Sequence, residues 1–291
     1  MKYIGNQPNS SIYGANGVWS LNQISTQNFY KNWPNPRYNN TSAFRDGMVL
    51  GEPFVITNNR NVLLPIDPTP STLNFDPYYD LVSLLLHMDG ADNSTSFVDS
   101  SVNNFTVTNT DSVAVSNSVS RFGGSALFDS STKKLSVPAG SAFAYGTGDF
   151  TVECWAYKTA AGDGYVFSQT VSGTNYFVFG VVNDGRVFFT GTASGGGTAI
   201  FGPASTLSLN SWNHIAVVRL NNIVTVYLNG VGGTGTSNTT NFSDTTRVPT
   251  IGQYTHASTN RWIGYIDELR ITRGFARYTA NFTVPSTPFL P

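Results

Sequence analysis

The sequence predicts an all-β protein: an antiparallel sandwich of jelly-roll type, preceded by a small, mostly irregular N-terminal segment that contains a short helix. Three observations carry that prediction. From residue 80 onward the chain falls into many short apolar runs bounded by Gly, Asn, Asp and Ser. Two of those boundaries, Asn183-Asp184-Gly185 and Asn229-Gly230, have the chemistry of hairpin turns. No run has sustained helical periodicity, so the crossover helices that a parallel sheet requires are not indicated.

Residues 1–75 differ in texture from the rest, with prolines at Pro34, Pro36, Pro53, Pro65, Pro68 and Pro70 and few alternating runs. Within GVWSLNQISTQNFYKNWP, Ser20 is an N-cap and Gln23 occupies the capping-box position, with Leu21, Ile24 and Asn28 at helical spacing. This predicts a short helix over residues 21–30. Trp19, Phe29, Tyr30 and Trp33 crowd a segment too small to bury them alone, so residues 1–75 read as a docking segment whose aromatics seek a partner surface. Packing against the chain's own larger domain is the alternative.

Residues 76–291 are expected to form the jelly roll and a C-terminal tail. DLVSLLLHM opens it. In FTVECWAY (150–157), Val152, Cys154 and Ala156 alternate with Glu153, Trp155 and Tyr157, which fits a strand with two differently used faces. YFVFGVVNDGRVFFTG (176–191) reads as two strands joined by a tight turn, and IVTVYLNGV carries the strongest short hairpin signal in the chain.

Composition restricts the partners. Charged residues make up 11% of 291, against ~25% in typical domains, and the formal net charge is -1. Nothing electrostatic therefore points to nucleic acid or to an anionic membrane. No stretch approaches the ~20 apolar residues of a membrane helix and the start lacks an apolar leader, so the expectation is a chain folded in a cytoplasm without membrane insertion. The lone Cys154 rules out an intrachain disulfide framework. The Asn-x-Ser/Thr triplets at Asn40, Asn93, Asn241 and Asn281 are read as loop composition.

The succession LLLHMDG, DSSVNNFT, RFGGSALFD, GDFTVECWAY, SWNHIAVVR, VTVYLNG and GYIDELRIT resembles the laminin-G-like, concanavalin A-like lectin/glucanase jelly roll over about residues 80–275. A narrower likeness is carried by DPYYDLVSLLLHMDG and RITRGFARYTANFTVP, which resemble the laminin-G-like domains of bacteriophage structural proteins. GVWSLNQ and NWP are similar to short N-terminal segments of virion proteins. The resemblance implies a particle component, whether tail fibre, head fibre or capsid decoration, assembled in the host cytoplasm and resident in the virion. Its expected partners are other virion proteins and copies of itself, with a trimer as the expected assembly. A glycan-binding adhesin that attaches to host-surface glycans is the first alternative.

A glycoside hydrolase is the second alternative, and the residues speak against it. Glucanases of this fold resemble one another in a Glu-x-Asp-x-Glu strand, whereas this chain has three glutamates, Glu52, Glu153 and Glu268, and no such triplet. Asp267 and Glu268 are neighbours, so a regular strand would send their side chains to opposite faces. His87, His214 and His256 lie in no recognisable nucleophile or zinc motif, and GTASGGGTA (191–199) lacks the lysine and the strand–helix frame of a phosphate loop. The expectation is therefore a protein that is not an enzyme. Glu268 and Arg270 share a face at i, i+2, with Glu153 as a cross-strand partner, which predicts a charge ladder contributing a few tenths to ~1 kcal/mol.

Two binding expectations remain. The family implies a structural calcium held by Asp89, Asp99 and Asp267 with backbone carbonyls. Aromatic and polar residues suited to a sugar are Tyr254, His256, Asn260 and Trp262 in GQYTHASTNRW, with Tyr165, Tyr176 and Arg186 as weaker candidates.

Overall fold

A computed structural model describes residues 75–130, 132–171, 174–192, 198–254 and 261–291, with 171 and 174–176 as backbone only, together with the backbone of four short N-terminal strands. The chain divides into Met1–Thr72 and Leu73–Pro291. In the first unit β1 (Lys2–Ile4) pairs antiparallel with β2 (Val18–Ser20), and β3 (Phe54–Ile56) with β4 (Leu63–Pro65). The helix expected over residues 21–30 lies outside the described residues, as do Phe29, Tyr30 and Trp33; of Trp19 only the strand backbone is described.

The second unit is the predicted two-layer antiparallel sandwich. Its strands are β5 (Val82–Leu86), β6 (Thr108–Thr110), β7 (Ala114–Val115), β8 (Ala126–Phe128), β9 (Lys134–Ser136), β10 (Phe150–Lys158), β11 (Gly164–Val171) and β12 (Thr174–Val181). They continue as β13 (Val187–Thr192), β14 (Ile200–Phe201), β15 (Trp212–Leu220), β16 (Ile223–Leu228), β17 (Val231–Gly232), β18 (Thr236–Ser237), β19 (Thr250–Ile251) and β20 (Gly264–Arg273). One sheet runs β17-β16-β15-β10-β20-β8-β7, with β18 beside β16 and β5 beside β20. The other runs β14-β13-β12-β11-β19-β9-β6.

Alternation sets what each face does. Phe150, Val152, Cys154 and Ala156 of β10 share the main core between the sheets with Phe177, Phe179 and Phe189 of the opposite sheet, where each large side chain contributes about 1.5–3 kcal/mol of burial. Burial pushes the Cys154 thiol well up, so it behaves as a small core hydrophobe. Both expected hairpins are present. Val182 N donates to Arg186 O at 3.0 Å around Gly185, and Asn229 (φ 50) and Gly230 (φ 81) turn β16 into β17. Gly230 is needed twice, because a Cβ there would also lie 2.0 Å from the Phe282 carbonyl oxygen.

That contact belongs to a tail that crosses the outer face of the nine-stranded sheet. Ala276, Tyr278 and Phe282 pack on Ala216, Val218 and Tyr227, and Phe289 packs on Val82 and Leu85. Tyr278 and Phe282 stack with centroids 3.5 Å apart and planes 5° from parallel. Beneath the tail, Glu153 meets Arg270 as the sequence suggested, but as a buried pair rather than a surface ladder. Arg270 Nη2 and Nε donate to Glu153 Oε1 at 2.8 and 3.0 Å, and the glutamate side chain is 0% exposed. The modest surface estimate therefore does not apply to it.

Candidate functional site

The outer face of the seven-stranded sheet carries a cluster of aromatic rings. Tyr165 on β11 pairs with Gly180 on β12, which pairs in turn with Phe188 on β13. Gly180 has no room for a side chain, since a Cβ would fall 2.2 Å from the Gly164 carbonyl oxygen. Its bare backbone lets the Tyr165 and Phe188 rings meet across it at 5.5 Å, edge to face. Tyr254, just after β19, adds a third ring 5.6 Å from Tyr165. Phe201 on β14 pairs with Phe188, and the Arg186 guanidinium lies 4.0 Å over the Phe201 ring. Tyr165, Tyr254, Phe201 and Arg186 are half-buried. They offer ring faces beside a cation and amide-rich turns, the surface chemistry that sugar C–H groups and hydroxyls meet well.

The expected glycan residues are thus only partly brought together. Tyr254, Tyr165 and Arg186 share this face. Trp262 does not: it is 0% exposed, part of the core, and its indole Nε1 donates to the Tyr265 carbonyl at 3.2 Å. Its ring is a core filler, and the expectation that it forms a sugar platform is corrected. His256 and Asn260 lie outside the described residues, and of Tyr176 only the backbone is described. Phe188 and Phe201 were not singled out in the sequence. Parity would have found Phe188, since Val187 and Phe189 flank it and both enter the core.

A second polar site lies where β20 passes β8 and the end of β5. Here the strand is irregular: Trp155 pairs with Asp267 but Glu153 pairs with Arg270, and Glu268 takes the left-handed conformation (φ 50). This β-bulge turns Asp267 and Glu268 to the same outer side, which corrects the expectation of opposite faces. Their surroundings differ. Glu268 accepts from Phe289 N at 2.8 Å and meets His87 Nδ1 at 2.8 Å, a hydrogen bond that raises the His87 pKa against the opposing effect of burial. Asp267 Oδ2 accepts from Arg121 N and Phe122 N, each at 2.9 Å, while its Oδ1 is buried without a partner. Burial pushes the Asp267 carboxyl up to about 8; the two backbone donors oppose this, and the Glu268 and Asp89 charges add to it. Asp89 Oδ1 accepts from Gly124 N at 2.7 Å, so both aspartates grip the same 121–124 turn.

Asp99 belongs elsewhere. Its two oxygens accept from Leu85 N, Ser101 N, Ser101 Oγ and Phe105 N at 2.8–3.1 Å, so it organises the 99–105 loop. The expected trio of Asp89, Asp99 and Asp267 is not gathered, and among the described residues no three acids, histidines or cysteines cluster to hold a metal. Among the described residues, Asp267 carries an oxygen, Oδ1, that is buried without a partner, and Asp89 is the nearby aspartate on the same turn. Glu153, Asp267 and Glu268 are all 0% exposed, so these three offer no open carboxylate pair to a glycosidic bond. His214, 0% exposed, lies with Nε2 3.2 Å from Glu153 Oε2, a strand residue beneath the tail.

A family model described as the concanavalin A-like lectin/glucanases superfamily (Laminin_G_3) matches residues 129–275, just over half of the chain. No curated protein matches the sequence. Among solved structures, domain 4 of AbnA, a GH43 extracellular arabinanase from Geobacillus stearothermophilus in complex with arabinotriose, is similar at 21% identity and a TM-score of 0.53, over 67% of this chain and 93% of that one. The binding domain of Paraclostridial Mosquitocidal Protein 1 is similar at 16% identity and a TM-score of 0.54, over 68% of this chain. The botulinum neurotoxin serotype D binding domain is similar at 13% identity and a TM-score of 0.53, over 69% of this chain. The chain covers 50% of each of those two domains. At these identities the likeness is one of fold.

Proposed function

The chain belongs to the concanavalin A-like lectin/glucanases superfamily, and on that premise we propose that it is a glycan-binding module that holds its ligand without cleaving it. The observation that carries this reading is the cluster of half-buried rings, Tyr165, Tyr254 and Phe201, beside Arg186 on the outer face of the seven-stranded sheet. The other sheet's outer face is occupied by the chain's own tail. A domain of similar fold solved with arabinotriose supports the same direction. On a glycan array the protein is expected to bind a restricted set of saccharides. Tyr165→Ala and Tyr254→Ala should each weaken binding by about 1 kcal/mol, roughly fivefold in Kd. A uniformly blank array would remove the reading.

The setting we propose is a phage particle, supported by the likeness of the DPYYDLVSLLLHMDG and RITRGFARYTANFTVP phrases to virion laminin-G-like domains. Residues 1–75 would dock on other virion proteins and the sandwich would face outward, as a homotrimer. A chain lacking residues 1–75 is expected to fold and to stay off particles; its incorporation at normal copy number would refute the docking role.

A structural calcium ion belongs to the same proposal, with two of the three expected aspartates. Asp267 Oδ1 and Asp89 would supply charged ligands, and the ion would satisfy an oxygen that otherwise favours a proton at neutral pH.

A further inference from the structure

Among the described residues no carboxylate comes within ion-pair distance of Lys158, although it is buried. It ends β10, is 2% exposed, and has its Nζ 5.8 Å from the centre of the Trp262 ring. Nζ donates to the Ala160 carbonyl. That is one neutral acceptor for three ammonium protons. Desolvation lowers its pKa, with the exposed Asp163 acting the other way. An ammonium so placed is costly unless an anion or water faces it.

Lys158 lines a cleft of about 240 Å³ formed by the 158–162, 181–185 and 206–209 segments. Gly162 (φ 102) and Gly185 (φ 88) contribute bare backbone to the walls, Asn183 and Thr206 contribute an amide and a hydroxyl, and Leu209, 43% exposed, provides an apolar lip. Asp184 also lines it, but its Oδ2 meets Arg186 Nε at 2.8 Å and Nη2 at 2.7 Å, so its charge is answered locally. The cleft adjoins the aromatic face: Val181 in its lining pairs with Gly164 and Val187, the residues preceding Tyr165 and Phe188.

We propose that this cleft receives the carboxylate of an acidic sugar, a single uronate ring, with the Lys158 ammonium as counter-ion and Asn183 and Thr206 as hydroxyl partners. This rests on the glycan-binding reading and assigns its ligand class. One buried cation matches one carboxylate, the amide and hydroxyl match ring hydroxyls, and the apolar lip matches a C–H face.

The test is calorimetric titration of the full chain with trigalacturonate, galactotriose and acetate. The wild type is expected to bind trigalacturonate at least tenfold more tightly than galactotriose and to ignore acetate at equal concentration. Lys158→Met, which keeps an apolar stem beside Trp262, should abolish that preference by bringing trigalacturonate down to the affinity of galactotriose. Asn183→Ala, at an exposed turn, should cut trigalacturonate affinity severalfold without altering the fold. Equal affinity for the charged and neutral trisaccharides, a preference that survives Lys158→Met, or a Lys158-dependent response to acetate alone would each overturn the acidic-sugar assignment while leaving the aromatic face intact. Failure of every saccharide to bind would defeat the underlying glycan reading as well.

Discussion

Glu153→Ala is expected to destabilise the sandwich by about 3–5 kcal/mol, lowering Tm by on the order of 10 °C. Glu153 takes two hydrogen bonds from Arg270, and a third at 2.6 Å from the Tyr278 hydroxyl. Arg270 and Arg277 also reach Asp76, Arg270 at 3.3 Å and Arg277 at 2.5 Å, so two carboxylates and two guanidiniums balance beneath the C-terminal tail. Removing Glu153 leaves the arginines with one carboxylate between them and strands the hydroxyl of the half-buried Tyr278. Burial by itself would push the Glu153 carboxyl up, but Arg270, His214 and Arg277 outweigh it and hold it below the ordinary carboxylate range. The linkage sign follows from that depression. The stabilisation is present above the unfolded pKa of ~4.3 and is lost as pH falls below it. Urea unfolding of the wild type and Glu153→Gln should therefore differ most near neutrality and converge in acid. A constant gap down to pH 3 would mean that shape, not charge, accounts for the loss.

Asp267→Asn is expected to stabilise the calcium-free protein near pH 7.5 and to abolish its response to calcium. The folded Asp267 carboxyl titrates at about 8, against ~3.9 when unfolded. Between those values the folded state holds a proton that the unfolded state has released. Stability thus falls with rising pH by about 1.4 kcal/mol per pH unit across the window. Asparagine keeps a carbonyl for the Arg121 and Phe122 amides and removes the charge, so the slope should disappear. Calcium bound at Asp267 and Asp89 would instead hold the ionised form, raising the wild-type Tm at pH 7.5 by several degrees and leaving Asp267→Asn unmoved. A wild-type melt indifferent to calcium would assign the site to a proton.

How much of this was legible depends on the range of the interaction. Val152, Cys154 and Ala156 reveal their inward face through alternation, and Asn183-Asp184-Gly185 and Asn229-Gly230 reveal their turns, because both signals are local. The Glu268 bulge left no such sign. It is a non-glycine residue at positive φ (50) within β20, and the register shift it accompanies changes which face Asp267 and Glu268 share. The burial of Glu153 and Arg270 was equally hidden, since it is made by Tyr278, Phe282 and Phe289, residues that alternation within β10 or β20 cannot register. Trp262 was misplaced because a tryptophan after a polar loop resembles an exposed platform, whereas its backbone N donates to Gly252 O at 2.8 Å and turns the ring inward. Tyr165 and Tyr254 were reachable as candidates, but only the glycine at position 180 explains how Tyr165 reaches Phe188.

Calorimetric titration of the best array ligand, followed by chromatography of the recovered ligand, tests the binding-without-turnover claim most directly. The expected result is a saturable heat of one site per chain, weakened by Tyr165→Ala and Tyr254→Ala, with the ligand recovered intact. A heat unaffected by both substitutions, or shortened saccharide in the recovered material, would contradict it.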